Sequence, residues 1–152
     1  MIHLESLGYE EAQRAIAAVL EAAGTEGRPV SVAVVDCHGE LIACARMDGS
    51  HARILKHAIR KAFTAATMAR DTLSFKYDLW ERNGNLDEWG DSTLTTLQGG
   101  LAVMSEGRCV GGIGCGGSSL ALDEEHARIG IRAMGFTPTS DKPKLVPTPA
   151  TA

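Results

Sequence analysis

The 152-residue sequence lacks several features that would place it in a broad class of protein. No apolar run approaches the length of a membrane span, and the N-terminus has neither the basic start nor the apolar core of a signal peptide. The formal net charge is -4, and no basic stretch is interleaved with aromatic residues. This balance argues against a general nucleic-acid-binding protein. We therefore expect a cytoplasmic protein that binds neither membranes nor nucleic acids.

Paired cysteines are also lacking. The sequence contains four cysteines and no C-x-x-C motif, and its Cys and His residues are not clustered as a zinc site requires. We predict no metal site and interpret the cysteines as small buried thiols in a reducing compartment. Cys115 is the exception, since the glycines around it could leave it accessible. The four are Cys37, Cys44, Cys109 and Cys115.

What the sequence does have is a glycine-rich segment at 108–127, which reads RCVGGIGCGGSSLALDEEHA. Val110 and Ile113 give it strand character. Each glycine in a strand weakens it, so a cluster of them suggests that another group lies close against the backbone. A helix, a second subunit and a ligand are all compatible with this pattern. The glycines are Gly111, Gly112, Gly114, Gly116 and Gly117.

The same segment matches the G-x-G-x-x-G fingerprint of dinucleotide-binding proteins, but we predict no nucleotide cofactor. That fingerprint requires a helix N-terminus aimed at the pyrophosphate. Here the following helix is predicted to open with Asp123, Glu124 and Glu125, which would repel a diphosphate. A Walker loop is excluded because neither Lys-Ser nor Lys-Thr follows the glycines.

Hydrophobic periodicity predicts one domain at 1–135 and a Pro-rich tail at 136–152, which is either disordered or wraps a neighbouring subunit. The fold class is α+β, an antiparallel sheet flanked by helices, because two hairpins alternate with helical segments. In chain order the pattern predicts a helix at 9–23, strands at 30–36 and 41–47, a helix at 52–70, an irregular loop at 71–90, strands at 101–105 and 108–115, and a helix at 123–134.

The predicted helix at 52–70 has an Ala-rich inner stripe, which would let it approach a sheet closely. Lys56, Arg60 and Lys61 are assigned to the opposite face. A solvated basic face is favoured for these three residues over an anion-binding face.

Six segments together resemble the GlcG/HbpS family, which is related to the C-terminal domain of PduO. The segments are VAVVD at 32–36 with Gly39, RMDG at 46–49, KAFTA at 61–65, QGGLAV at 98–103, VGGIG at 110–114 and DEEHA at 123–127. The resemblance implies a profilin-like fold and a homo-oligomer built from dimers. It also implies haem as a possible cofactor, because several members are described as binding haem.

The sequence departs from the family pattern in three places. The family usually has Ser where Cys115 or Gly116 stands, and Pro where Gln98 stands. The segment at 77–91 looks unlike the ordinary member. These departures favour a specialised activity on a small molecule.

Our leading hypothesis is a ligand-binding protein for haem or a related flat molecule. Haem needs an axial ligand, and spacing alone selects none of His38, His51, His57 and His126, although His51 is the first choice. Trp80 and Trp89 are predicted to form an aromatic wall or a subunit contact. The remaining predicted ligand-binding residues are Gly114, Cys115, Gly116 and Gly117.

The alternative hypothesis is an enzyme, a lyase, isomerase or hydrolase, that acts on a small conjugated or aromatic organic acid. Arg46 would hold the substrate carboxylate, and Asp48, Asp91 or Glu124 would act as acid or base. Both hypotheses use one site, where the ends of the two hairpins meet at one edge of the sheet beneath the loop at 80–91. A structural or regulatory subunit is the third possibility.

Overall fold

The structure is a computed structural model that describes residues 1–139. Most of the predicted tail at 136–152 lies outside the described residues. Its first residues belong to the domain, since Phe136 packs against the core and the hydroxyl of Thr139 donates to the carboxylate of Asp71. The elements in chain order are α1 (Tyr9–Thr25), β1 (Ser31–Val35), β2 (Leu41–Arg46), α2 (Ala52–Met68), α3 (Thr72–Glu81), a 3-10 helix (Leu86–Trp89), β3 (Gly100–Ser105), β4 (Arg108–Gly116) and α4 (Leu120–Ala133).

The four strands form one antiparallel sheet in the order β2-β1-β4-β3. Both predicted hairpins are present, with turns at 36–40 and 106–107. β1 lies inside the sheet and is buried along its whole length, as its β-branched sequence SVAVV predicts. The predicted α+β class is therefore confirmed.

Helices cover both faces of this sheet. Val32 and Val34 of β1 pack in a core with α1 and α4, whereas Ala33 and Val35 point to the other face and pack against α2. This alternation follows from the two-residue period of a strand. Among residues 1–139 no helix is long and apolar enough to cross a membrane.

Three glycines of β4, Gly112, Gly114 and Gly116, lie directly under α2. A Cβ at Gly112 would lie 2.5 Å from the carbonyl oxygen of Ala62, and a Cβ at Gly114 would overlap the carbonyl oxygen of Ala58. The close approach therefore serves a helix of the same chain. Gly114, a residue of β4, is buried beneath α2, so the prediction that it contacts a ligand is wrong.

Two predicted elements differ from the structure. The segment at 71–90 is α3 followed by the 3-10 helix, because Thr72, Phe75 and Leu79 recur at helical spacing and are buried. The last helix begins at Leu120, three residues before the acidic cluster. Ser119 caps it, with its hydroxyl accepting a hydrogen bond from the backbone N–H of Leu122.

Candidate functional site

The strand register brings the ends of β2 and β4 to the same edge of the sheet. Ser31, the first residue of β1, pairs with Arg46 at the end of β2 and with Gly116 at the end of β4. From these ends the chain turns into α2 and into α4. The predicted meeting of the two hairpin ends is confirmed, and the loops that follow them frame an open cleft.

The cleft has a volume of about 410 Å³, within the range of roughly 300–1,000 Å³ that is typical of small-molecule sites. Its walls come from the turn before α2, the first half of α2, the turn between β4 and α4, and the start of α4. The lining residues are Pro29, Gly49, Ser50, His51, Arg53, Ile54, His57, Lys61, Leu97, Gly116, Gly117, Ser118, Leu120 and Asp123.

A buried ion pair forms part of the lining. Nζ of Lys61 lies 3.2 Å from Oδ2 of Asp123 and donates to the backbone carbonyl of Cys115 at 2.8 Å. Each charged side chain is only 3% exposed. The other carboxylate oxygen of Asp123 accepts from the backbone N–H of Ser118 at 2.9 Å. This network ties α2 to the end of β4 and to α4, and it neutralises both charges.

The remaining charged and titratable side chains of the cleft are basic. Arg53 is exposed, His51 stands at the N-cap of α2, and His57 is half-buried. Within residues 1–139, Arg53 makes no salt bridge. Among residues 1–139, Asp123 is the single carboxylate of the lining. The cleft therefore presents an excess of positive charge.

Three of the predicted ligand-binding residues, His51, Gly116 and Gly117, line the cleft. Gly116 also packs against α2, since a Cβ there would lie 2.9 Å from Cγ2 of Ile54. Cys115 is fully buried in the core, and burial raises the pKa of its thiol. The prediction that Cys115 is accessible to a ligand is wrong, because alternate residues of β4 face the core shared with α1 and α4.

The four predicted catalytic residues do not line the cleft. Arg46, Asp48 and Asp91 are exposed, and the absence of Arg46 from the lining gives no support to its predicted contact with a ligand carboxylate in this cleft. The carboxylate of Glu124 is engaged by the side chains of Gln98 and Arg128, each at 3.2 Å.

The two tryptophans lie elsewhere on the surface. Trp80 is in α3, where its ring meets Tyr77 edge-on, with the centroids 5.5 Å apart. Trp89 meets Phe75 edge-on at 5.7 Å and lines a separate groove. Neither tryptophan lines the cleft, so the prediction of an aromatic wall above it is wrong.

Sequence reasoning missed Lys61 and Asp123, and it placed Lys61 on the solvated face of its helix. A signal was present, because Ala58, Lys61, Ala62 and Ala65 follow the i, i+3, i+4, i+7 spacing of a buried stripe. His126, a candidate axial ligand, is buried between α4 and the end of α1, where its Nε2 lies 3.0 Å from Oε2 of Glu26.

No group of three or more His, Cys, Asp or Glu side chains in residues 1–139 is arranged to hold a metal ion. The cleft has the polar and apolar groups of a small-molecule site instead.

Comparison with known proteins assigns the chain to a family. Protein GlcG of Escherichia coli is 34% identical over 108 residues, which cover 71% of this chain and 79% of that protein. A crystal structure of a double mutant of HbpS from Streptomyces reticuli is 34% identical and superimposes with a TM-score of 0.81, covering 90% of this chain and 92% of that one. The crystal structure of a PduOC:heme complex is 27% identical, with a TM-score of 0.77, covering 86% of this chain and 96% of that one.

A family model described as "Haem degrading protein HbpS-like" matches residues 7–132, which span all four strands and nearly all of α4. The sequence match and the shared fold thus cover the elements that build the cleft, and the chain belongs to this HbpS-like family.

Proposed function

We propose that this protein binds haem, or a related flat small molecule, in the cleft between the start of α2 and the end of β4. The observation that carries the proposal is the presence of two histidines in an open, partly apolar cleft. The structural similarity to PduOC, which was crystallised with heme, supports the same ligand. We further propose that the protein works in the cytoplasm as an even-numbered homo-oligomer.

The residues of the cleft fit this ligand. Haem iron in proteins is held by His, Cys, Met or Tyr. Of these residue types, histidine alone lines the cleft in the described part of the chain. His51 is the preferred ligand because it is exposed at the N-cap of α2. His57, six residues further along the chain, is the alternative ligand. The apolar side chains that would contact a flat ring are Pro29, Ile54, Leu97 and Leu120.

In this proposal the protein supplies an imidazole as iron ligand and excludes water from one face of the haem ring. Bound haem supplies an iron centre whose reactivity depends on the axial ligand and on the polarity of the surrounding pocket. The glycines at the end of β4 help to shape this pocket, because a side chain at Gly116 would collide with Ile54. None of the four predicted catalytic residues lines the cleft, so we favour binding over the enzyme hypothesis.

The test is a titration of the purified protein with haemin, followed by the Soret band. We expect a saturable shift with one site per chain. His51→Ala should abolish the shift, and the matched control His38→Ala should leave it unchanged because His38 lies in the β1–β2 turn, outside the cleft.

His57→Ala tests the alternative ligand in the same assay. Loss of the shift in this variant alone would identify His57 as the axial ligand, and the binding site would still be the cleft. A saturable shift that survives in both cleft variants would refute the proposed site, and no saturable binding at all would refute haem as the ligand.

A further inference from the structure

We propose that the cleft selects a ligand that carries a carboxylate, and that Arg53 and His57 are the residues that recognise it. This inference deepens the proposed function and rests on it in one respect, because it uses the same cleft. It names a class of ligand, a flat organic acid, and it replaces the predicted role of Arg46 with residues that line the site.

The first argument is the placement of basic side chains along α2. Arg53, His57 and Lys61 are spaced by four residues, so they follow one another along one face of the helix. All three line the cleft, and their burial increases from exposed Arg53 through half-buried His57 to fully buried Lys61. This basic stripe therefore runs from the mouth of the cleft into the protein.

The second argument is that the charges of the stripe are not balanced. Asp123 is held by Lys61 and by the backbone N–H of Ser118, so it is not available to Arg53. A guanidinium stays charged at every physiological pH and binds a carboxylate through two parallel N–H groups. Arg53 thus brings a positive charge to the cleft without a salt-bridge partner in the described part of the chain.

The third argument comes from unused hydrogen-bonding groups at the buried end of the stripe. The hydroxyl of Ser118 is enclosed by protein and has no partner among residues 1–139. Buried hydroxyls are nearly always hydrogen-bonded, so an isolated one calls for an explanation. The ammonium of Lys61 has three N–H donors, of which two are used within this part of the chain. Both residues line the cleft, so a ligand oxygen at its inner end would lie next to these unused hydrogen-bonding groups.

The test compares two probes of nearly the same shape, 2-naphthoate and the neutral 2-naphthamide. Binding to the full chain is measured by NMR titration at fixed ionic strength. We expect naphthoate to bind at least tenfold more tightly than naphthamide and to shift resonances at the start of α2 and at the end of β4. Arg53→Gln should bring the two affinities to within about twofold of each other, and His57→Gln should reduce the difference.

Arg14→Gln is the matched control, because Arg14 is an exposed arginine on α1, which packs on the opposite face of the sheet. It should keep the full preference for naphthoate. Equal affinity for the two probes, no binding of either probe, or a preference that persists in Arg53→Gln would overturn the inference.

The haemin titration separates this inference from the proposed function. A saturable Soret shift without a preference for naphthoate would overturn only the carboxylate inference. A preference for naphthoate that depends on Arg53, without a Soret shift, would overturn only haem as the ligand.

Discussion

Replacing Lys61 by methionine should strongly destabilise the fold, because it leaves a buried charge without its partner. Asp123 is only 3% exposed, and Lys61 lies 3.2 Å away as its single salt-bridge partner in the described chain. The substitution also removes the hydrogen bond to the carbonyl of Cys115. Removing one half of a buried pair typically costs about 3–5 kcal/mol. We therefore expect the free energy of unfolding of Lys61→Met to fall by about that amount.

Urea unfolding at pH 7 measures this loss, and two further variants make it specific. Lys56→Met is the matched control, since Lys56 is an exposed lysine of the same helix, and it should change stability by no more than about 0.5 kcal/mol. The double variant Lys61→Met with Asp123→Leu removes both charges. It should lose less than the sum of the two single variants, with an interaction energy of at least about 1 kcal/mol.

A decrease in the free energy of unfolding below about 1 kcal/mol in Lys61→Met would contradict the reasoning, because breaking a fully buried ion pair costs more than that. Strict additivity in the double variant would contradict it as well. Either result would mean that water reaches the pair.

Two further predictions concern burial at other places in the fold. Burial raises the pKa of Asp71 to about 6, so between pH 4 and pH 6 the folded protein keeps a proton that the unfolded chain releases. The free energy of unfolding should therefore fall by about 2–3 kcal/mol from pH 4 to pH 7, relative to the Asp71→Asn variant, in denaturation series at each pH. Cys44 is exposed and Cys115 is buried with a raised thiol pKa, so iodoacetamide should label Cys44 in the native protein and Cys115 only after denaturation, as mass spectrometry would show.

The sheet could be predicted from the sequence because its signals are local. The run SVAVV, with a turn around Gly39 and a second strand after it, identifies a hairpin without knowledge of the rest of the chain. The position of His51, Gly116 and Gly117 at one edge followed from the two hairpins alone, since the ends of antiparallel strands are set by their turns.

Which side of each helix faces the sheet could not be predicted as well, because this orientation depends on contacts between segments that are distant in sequence. Lys61 faces the sheet since the glycines of β4 let α2 pack closely there, and this allows its ammonium to reach Asp123. The position of Arg53 in the lining of the cleft depends on the same orientation of α2 about its axis. The sequence of the segment that carries Trp80 and Trp89 has only a weak helical pattern, because its few apolar residues are separated by polar ones. Packing against the core stabilises the helix that forms there.

The central claim, that the cleft at the start of α2 is the ligand site, is tested most directly by locating bound iron. Crystals of the protein grown with haemin would be measured at the iron absorption edge, and the anomalous peak gives the position of the metal without reference to the fold. We predict one peak per chain in the cleft, bonded to the imidazole of His51 or His57. A peak in the groove beside Trp89, or on His38 in the β1–β2 turn, would contradict the account.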